Sequence, residues 1–376
     1  MFLTNKIILV VSPQPWSNMY VSKHHYAIEL SKRNNTVYFL STSSQQNKNL
    51  QIEQLPTYPN IYIIHREKFI GELLRFHYRP LYKLLLKRNL QRIVKKINTP
   101  FDVVLSFDNT ATYPDLSIFN AKHQLFFPVD QINLNHLSEY KNLGKTIFSV
   151  SPIILESFAN FPNKKKLLNH GLGNSWEEFA KLTLNETIKT TTTLKIGYFG
   201  NLTMGKSLDM GTLTTVIQSH PGIEFHFWGN NELKQGVDKE TIEWLTFLKT
   251  TKNVILYGSI PPNELVNQLH DIDAFLLCYD YNFEMNKCSN SHKILEYLST
   301  GKVIISSKIS NYEGKPNLIN MLPEFSNKNY LSLFDSTIKN ITNYNTDELK
   351  KERIAFALDN TYDKQLERIE QTITNS

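Results

Sequence analysis

Leu194-Lys195-Ile196-Gly197-Tyr198-Phe199-Gly200-Asn201-Leu202-Thr203-Met204-Gly205-Lys206-Ser207-Leu208-Asp209 decides the fold. Residues 194–199 have the length and the apolar, aromatic character of a buried strand, and the glycines that follow release the chain into a turn ahead of a helix-length segment. Glycines at that point let backbone approach a ligand closely, and Lys206 near a helix start is placed to neutralise a phosphate. The same stretch also reads as a plain strand-to-helix turn with a solvated lysine.

Outward from it, β-branched and aromatic runs alternate with helix-length segments. Downstream they are 223–228, 253–257, 273–278 and 303–306; upstream they are 6–11, 36–40, 60–64, 102–106, 124–128 and 146–150. Such alternation predicts α/β architecture, with parallel sheets covered on both faces. Two Rossmann-like domains in tandem follow: residues 1–172, a linker at 173–193 that holds four consecutive threonines, residues 194–358, and a terminal helix within 359–376 carrying Leu366, Ile369 and Ile373 on one face.

A chain of 376 residues suits two or three domains. Its 20% charged and 41% hydrophobic residues exclude a disordered or fibrous protein. Cys278 and Cys288 stand apart from any further Cys or His pair, which argues against a disulfide framework or a structural zinc. The apolar run 7–11 is too short to span a membrane, and no small-residue cleavage site follows it, so the expected location is cytoplasmic.

In open parallel sheets, ligands bind beyond the carboxyl ends of strands, so functional residues are sought there. One such stretch is Ser289-Asn290-Ser291-His292-Lys293-Ile294-Leu295-Glu296-Tyr297-Leu298. Lys293 and Glu296 share a helix face, able to hold an anion and a diol together, or to form an ordinary surface pair. Asp271-Ile272-Asp273 has the spacing of a metal-binding pair, but Asp273 opens an apolar strand, away from the ligand end, and reads as structural.

Several of these features occur in a familiar order: the glycine turn with Lys206 and Asp209, then Asn253-Val254 through Gly258-Ser259-Ile260-Pro261-Pro262-Asn263-Glu264-Leu265, then Asp273, then 293–303. This resembles the nucleotide-binding half of GT-B glycosyltransferases, particularly family 4 and relatives that act on bacterial surface polysaccharides. The resemblance is good over 194–307. It implies two Rossmann-like domains facing a cleft, with a C-terminal helix crossing back onto the N-terminal domain. His170-Gly171-Leu172 resembles the turn at which such chains leave that domain. It also implies a nucleoside diphosphate sugar as donor, UDP- or GDP-linked, with no separate cofactor and no metal. The base would lie against Gly258, Ser259 and Ile260, the ribose on Glu296, and the phosphates near Gly200, Lys206, Ser291 and Lys293. Asn201 occupies the family's arginine slot, and Cys288 stands in place of the first of its paired glutamates.

Acceptor-side candidates lie at N-terminal strand ends: the loop 12–25, 106–109 and 127–131. Glycosyl transfer requires the acceptor hydroxyl to lose a proton, so a strand-end carboxylate is the natural base if the reaction inverts. Asp130 is the first candidate and Asp108 the second, although Asp at such positions also caps and turns. His24 and His25 are further candidates for binding sugar or diphosphate.

The net charge of +6 conceals a local excess, because 66–96 holds ten basic residues against two acidic ones, interleaved with apolar and aromatic residues. Two readings stay open: a basic amphipathic face on an anionic membrane, or a helix whose apolar side is core. No nucleic-acid motif accompanies the charge. The expected activity is transfer of a hexose-like sugar to a saccharide or lipid-linked acceptor. A non-catalytic sugar-nucleotide or glycan-binding protein and a GT-B sugar-nucleotide epimerase are the alternatives.

Overall fold

The computed structural model describes residues 2–17, 20–41, 49–66, 74–185, 193–203, 207–233 and 236–375. The chain divides into two units. One joins the first 171 residues to Tyr362–Ser376, and the other is Leu172–Thr361.

The first unit contains an eight-stranded sheet: β1 (Ile7–Val11), β2 (Thr36–Leu40), β3 (Gln51–Leu55), β4 (Tyr58–His65), β5 (Val103–Ser106), β6 (His123–Phe126), β7 (Thr146–Ser149) and β8 (Lys164–Leu167). Their order is β3-β4-β2-β1-β5-β6-β7-β8, parallel throughout except for β3. The central strand shows why a nearly unbroken apolar run is needed. Ile8 and Val10 enter one core with Tyr26 and Tyr362, while Leu9 and Val11 enter the other with Tyr82 and Leu86.

Helix Tyr362–Thr374 completes the first core through Tyr362, Leu366 and Ile369. Arg33 pairs with Asp363 and Glu370, and the Leu3 amide donates to Glu370, which fixes the same helix. Gly171 is obligatory beside it, since a Cβ there would lie 2.2 Å from the Tyr362 ring.

The second unit carries β9 (Lys195–Phe199), β10 (Glu224–Trp228), β11 (Val254–Gly258), β12 (Ala274–Leu277), β13 (Val303–Ser306) and β14 (Asn320–Met321) in the order β11-β10-β9-β12-β13-β14. In each unit an aspartate just before the fourth parallel strand accepts the first amide of the first strand. Asp102 takes the Ile7 N–H at 3.0 Å and Asp273 takes that of Lys195 at 2.9 Å. Asp273 therefore works at the amino end of the sheet, as a strand anchor.

The expected boundaries need correction. The supposed linker 173–193 begins with helix Asn174–Thr183, whose Trp176 and Phe179 are buried in the second core; Trp176 stacks on Phe199 at 5.1 Å. Most of the threonine run lies outside the described residues. Leu172 and residues 359–361 belong to the second unit, tied by the Leu172 amide to the Asn360 carbonyl at 2.7 Å.

In the basic segment, residues 67–73 lie outside the described part. Pro80 opens helix Arg79–Ile97 rather than breaking it, as its missing N–H permits. Tyr82, Leu86, Leu90, Ile93 and Ile97 are buried in the core, which gives this helix a structural apolar face. Tyr78, Leu81 and Leu84 remain exposed beside the cations. No described helix is long and apolar enough to cross a membrane.

Candidate functional site

In the second sheet, strand order reverses between β9 and β12, so the carboxyl ends of these two strands form the expected ligand position. Three loops are zipped together there. Gly200 N–H donates to the Trp228 carbonyl at 2.8 Å, Gly229 N–H to that of Gly258 at 2.7 Å, and Leu202 N–H to that of Asn230 at 3.0 Å. The join tolerates no side chain at Gly229, where φ is +135° and a Cβ would fall 1.8 Å from the Gly200 carbonyl oxygen.

Helix Lys293–Ser299 reaches the same place from the far side of β9. Tyr297, fully buried, seats it: its hydroxyl accepts the Phe199 N–H at 3.2 Å and its ring packs on Phe199 and Phe275. One turn earlier, the Lys293 ammonium donates to the Tyr198 hydroxyl at 3.2 Å and lies 4.9 Å from the centre of that ring. A Cβ on Gly200 would come within 2.1 Å of Lys293 Nζ. The missing side chain of one loop thus admits the cation of another element.

Ser291 adjoins this cation, its Oγ accepting the Lys293 amide at 3.3 Å. Glu296 is partly buried, with His292 Nε2 at 3.9 Å. Burial pushes its carboxyl up to about 8, against the opposing pull of Lys293, so at pH 7 it carries a proton and is able to donate as well as accept. An ammonium and a neutral carboxyl on one short helix, with a hydroxyl just before it, suit an anion joined to a polyol. Ser259 is exposed and Ile260 packs on the second core, both just past the Gly258 carbonyl held by Gly229.

One expected donor contact changes, and another lies outside the described residues. Asn201 turns back on its own loop, its Oδ1 accepting the Thr203 amide at 2.9 Å and the Thr203 hydroxyl at 2.7 Å, so it shapes the turn. Lys206 lies outside the described residues. Tyr198 and Gly229 were not anticipated; of these, Gly229 had a readable signal, because Gly200, Gly229 and Gly258 stand at the ends of successive strands at even intervals.

In the first unit, Asp130 follows β6 with its side chain 58% exposed, which leaves the carboxylate accessible. Lys23, almost fully buried, holds it at 3.3 Å and also reaches Gln14 at 3.3 Å. Asp108 differs. It is buried, and its oxygens accept from the Thr110 amide and hydroxyl and from the Tyr113 amide, so it builds a tight loop in which Ala111 adopts φ +51°. A carboxylate so engaged is a turn former rather than a base.

His24 is likewise committed: its Nδ1 accepts the Val21 amide and its Nε2 donates to the Pro15 carbonyl. His25 stacks on Tyr362 at 4.7 Å, and burial with the neighbouring His24 and Lys32 pushes it down to about 4. The His24 imidazole is therefore taken up within its own loop.

No protein-family model and no curated protein matches the sequence. Solved structures are similar over nearly the whole chain. A sucrose-phosphate synthase from Thermosynechococcus elongatus superposes with a TM-score of 0.68 at 10% identity, covering 98% of both chains. Anabaena HepE in complex with UDP-glucose gives 0.66 at 12% identity, covering 99% of this chain and 100% of that one. The lipopolysaccharide outer core galactosyltransferase WaaB in its apo form gives 0.61 at 15%, covering 98% and 99%. Such likeness establishes the fold as GT-B, built from two Rossmann-like domains.

Proposed function

We propose that this GT-B chain is a glycosyltransferase of the family 4 type, moving a sugar from a nucleoside diphosphate donor to a saccharide or lipid-linked acceptor. The observation that carries the reading is the Lys293 ammonium lodged against Gly200 at the β9/β12 reversal. The similar structure of HepE holds UDP-glucose, which supports a uridine donor. In this reading Lys293 and Ser291 receive the diphosphate, Glu296 the ribose, and the segment Gly258, Ser259 and Ile260 the base. As the bond from the anomeric carbon to the diphosphate breaks, the ammonium offsets the charge left on the departing oxygen. No metal enters the scheme. A thermal-shift panel of UDP-, GDP-, ADP- and CMP-sugars tests it, followed by a transfer assay with the best stabiliser. Stabilisation by a diphosphate sugar supports the assignment, and none by any of the four contradicts it.

On the acceptor side we assign Asp130 as the base in the case that transfer inverts, because its carboxylate is accessible and Lys23 pairs with it. Asp130→Asn should lower turnover on the order of 100-fold, within the range of general-base catalysis, with donor affinity nearly unchanged in an initial-rate study. An unaltered rate eliminates that role.

The exposed cations of helix Arg79–Ile97, together with Tyr78, Leu81 and Leu84, suit the inner, anionic face of a membrane, where a lipid-linked acceptor resides. Each cation near such a surface contributes about 1 kcal/mol. Charge reversal at Arg88 and Arg92 should therefore reduce sedimentation with phosphatidylserine vesicles severalfold; unchanged sedimentation leaves the helix a purely structural element.

The turned-back Asn201 and the buried Cys288 favour one second reading, a non-catalytic sugar-nucleotide binder. Donor binding with neither transfer nor hydrolysis would select it.

A further inference from the structure

An open cleft of about 390 Å³ lies in the first unit between helix Arg79–Ile97 and the short 3-10 helix Leu116–Phe119. Burial fixes its two walls. Leu90, Ile93 and Ile97 of the one share a core with Leu116 and Phe119 of the other, and Val94 and Ile118, which line the cleft, pack on that core. Asp115 holds the shorter helix in shape, its Oδ1 accepting the Ser117 amide and hydroxyl and the Asn142 side-chain amide.

The rest of the lining is polar. Lys87, Gln91 and Lys95 follow one another at intervals of four residues on one stripe of the long helix, with Ser117 and Asn120 across from them. The fold treats the cations of this helix unequally. Arg79 and Lys83 are both spent on Glu139, whereas the side chains of Lys87, Gln91, Lys95 and Asn120 have no partner among the described residues. The cleft is also separate from the acceptor end. Helix Arg79–Ile97 joins two parallel strands, β4 and β5, so it runs back from their carboxyl ends to their amino ends, and Asn120 stands just ahead of β6. Asp130 follows that strand at its other end.

Lys87 and Lys95 are about 12 Å apart along the helix axis, at 1.5 Å per residue, with the Gln91 amide midway. A single phosphate does not bridge that span; two phosphate esters joined through a polyol do. A dissolved anion gains little from side chains as exposed as these. An anion in a bilayer surface arrives already concentrated. Leu84, Arg88, Gln91 and Lys95, at intervals of four, three and four, place the cleft on the same face as an exposed leucine and a further cation.

We propose that this cleft receives the headgroup of an anionic phospholipid carrying two phosphate esters on one glycerol. Lys87 and Lys95 each take a phosphate, and the Gln91 and Asn120 amides take the linking hydroxyl. This rests on the membrane reading above.

Sedimentation of the full chain with phosphatidylcholine vesicles tests it. One set carries cardiolipin and the other twice that mole fraction of phosphatidylglycerol, so that both present equal surface charge. The wild type should bind the cardiolipin set roughly three- to tenfold more tightly, because the first phosphate delivers the second. Lys87→Gln with Lys95→Gln should abolish that preference. Arg88→Gln with Arg92→Gln removes the same charge from outside the cleft, and should weaken both sets alike while the preference stays. A wild type that binds the two sets equally, or two double variants that behave alike, overturns the headgroup site and leaves the membrane reading standing. Release from the vesicles by micromolar deacylated headgroup would make this a site for a dissolved phosphodiester and overturns the lipid assignment. Absence of sedimentation with either set removes the membrane reading and the headgroup site with it.

Discussion

Lys293→Ala should weaken nucleoside diphosphate binding by roughly ten- to a hundredfold and leave the free nucleoside almost untouched. A hydrogen bond to a charged group is worth about 1.5–3 kcal/mol, and each 1.4 kcal/mol is a factor of ten. The ammonium has one hydroxyl partner in the free protein, Tyr198, and sits over that residue's ring. Removing it costs the fold about 0.5–1 kcal/mol of cation–π contact. A second consequence follows from Glu296, whose carboxyl Lys293 pulls down against burial. Without that charge the proton is held more firmly, so the ribose contact keeps its neutral form and nucleoside affinity is preserved. Parallel calorimetric titrations with diphosphate and nucleoside check both halves, and equal losses would contradict the phosphate role.

Gly229→Ala should be the most damaging small substitution at this site. The new methyl would lie 1.8 Å from the Gly200 oxygen and 2.6 Å from its carbonyl carbon, both backbone atoms, at φ +135°. Relief requires the Gly200 loop to retreat, breaking the Gly200 N–H bond to Trp228 or the Gly229 bond to Gly258. Strain and lost bonds together should cost on the order of 3 kcal/mol, or roughly 6–12 °C in melting temperature for a unit of this size. Gly222→Ala is the control, because nothing lies within 4 Å of its Cβ position. A differential scanning experiment that finds the two variants alike would refute the close approach of the loops.

Most of the strand framework was legible in the sequence, since buried parallel strands such as Ile7–Val11 and Val303–Ser306 must be apolar on both faces. The strands that escaped notice lie at or near sheet edges, where that requirement lapses. Gln51–Leu55 and Lys164–Leu167 are polar and largely exposed, the latter with lysines of the kind that discourage edge-to-edge association, and Asn320–Met321 is only two residues long. Helix Asn174–Thr183 was obscured by the threonines after it, although Trp176, Phe179 and Ala180 have helical spacing.

The site was legible in part, for a definite reason. Gly200 stands at a strand end and Lys293 opens a helix, both in recognisable motifs, so their meeting was foreseeable. Tyr198 is an aromatic within a strand, indistinguishable in sequence from a core residue. Asp108 and Asp130 both follow strands and look equivalent in sequence. Only the fold reveals that the Thr110 and Tyr113 amides consume the first, whereas the second stays open beside Lys23.

The central claim is that the reversal between β9 and β12 holds the diphosphate of a sugar nucleotide. The crystal structure of the chain with its tightest-binding nucleoside diphosphate tests this most directly. The account predicts a phosphate oxygen within hydrogen-bonding distance of Lys293 Nζ and against the Gly200 backbone. A diphosphate bound elsewhere, with Lys293 still resting on Tyr198 and no phosphate beside it, would contradict it.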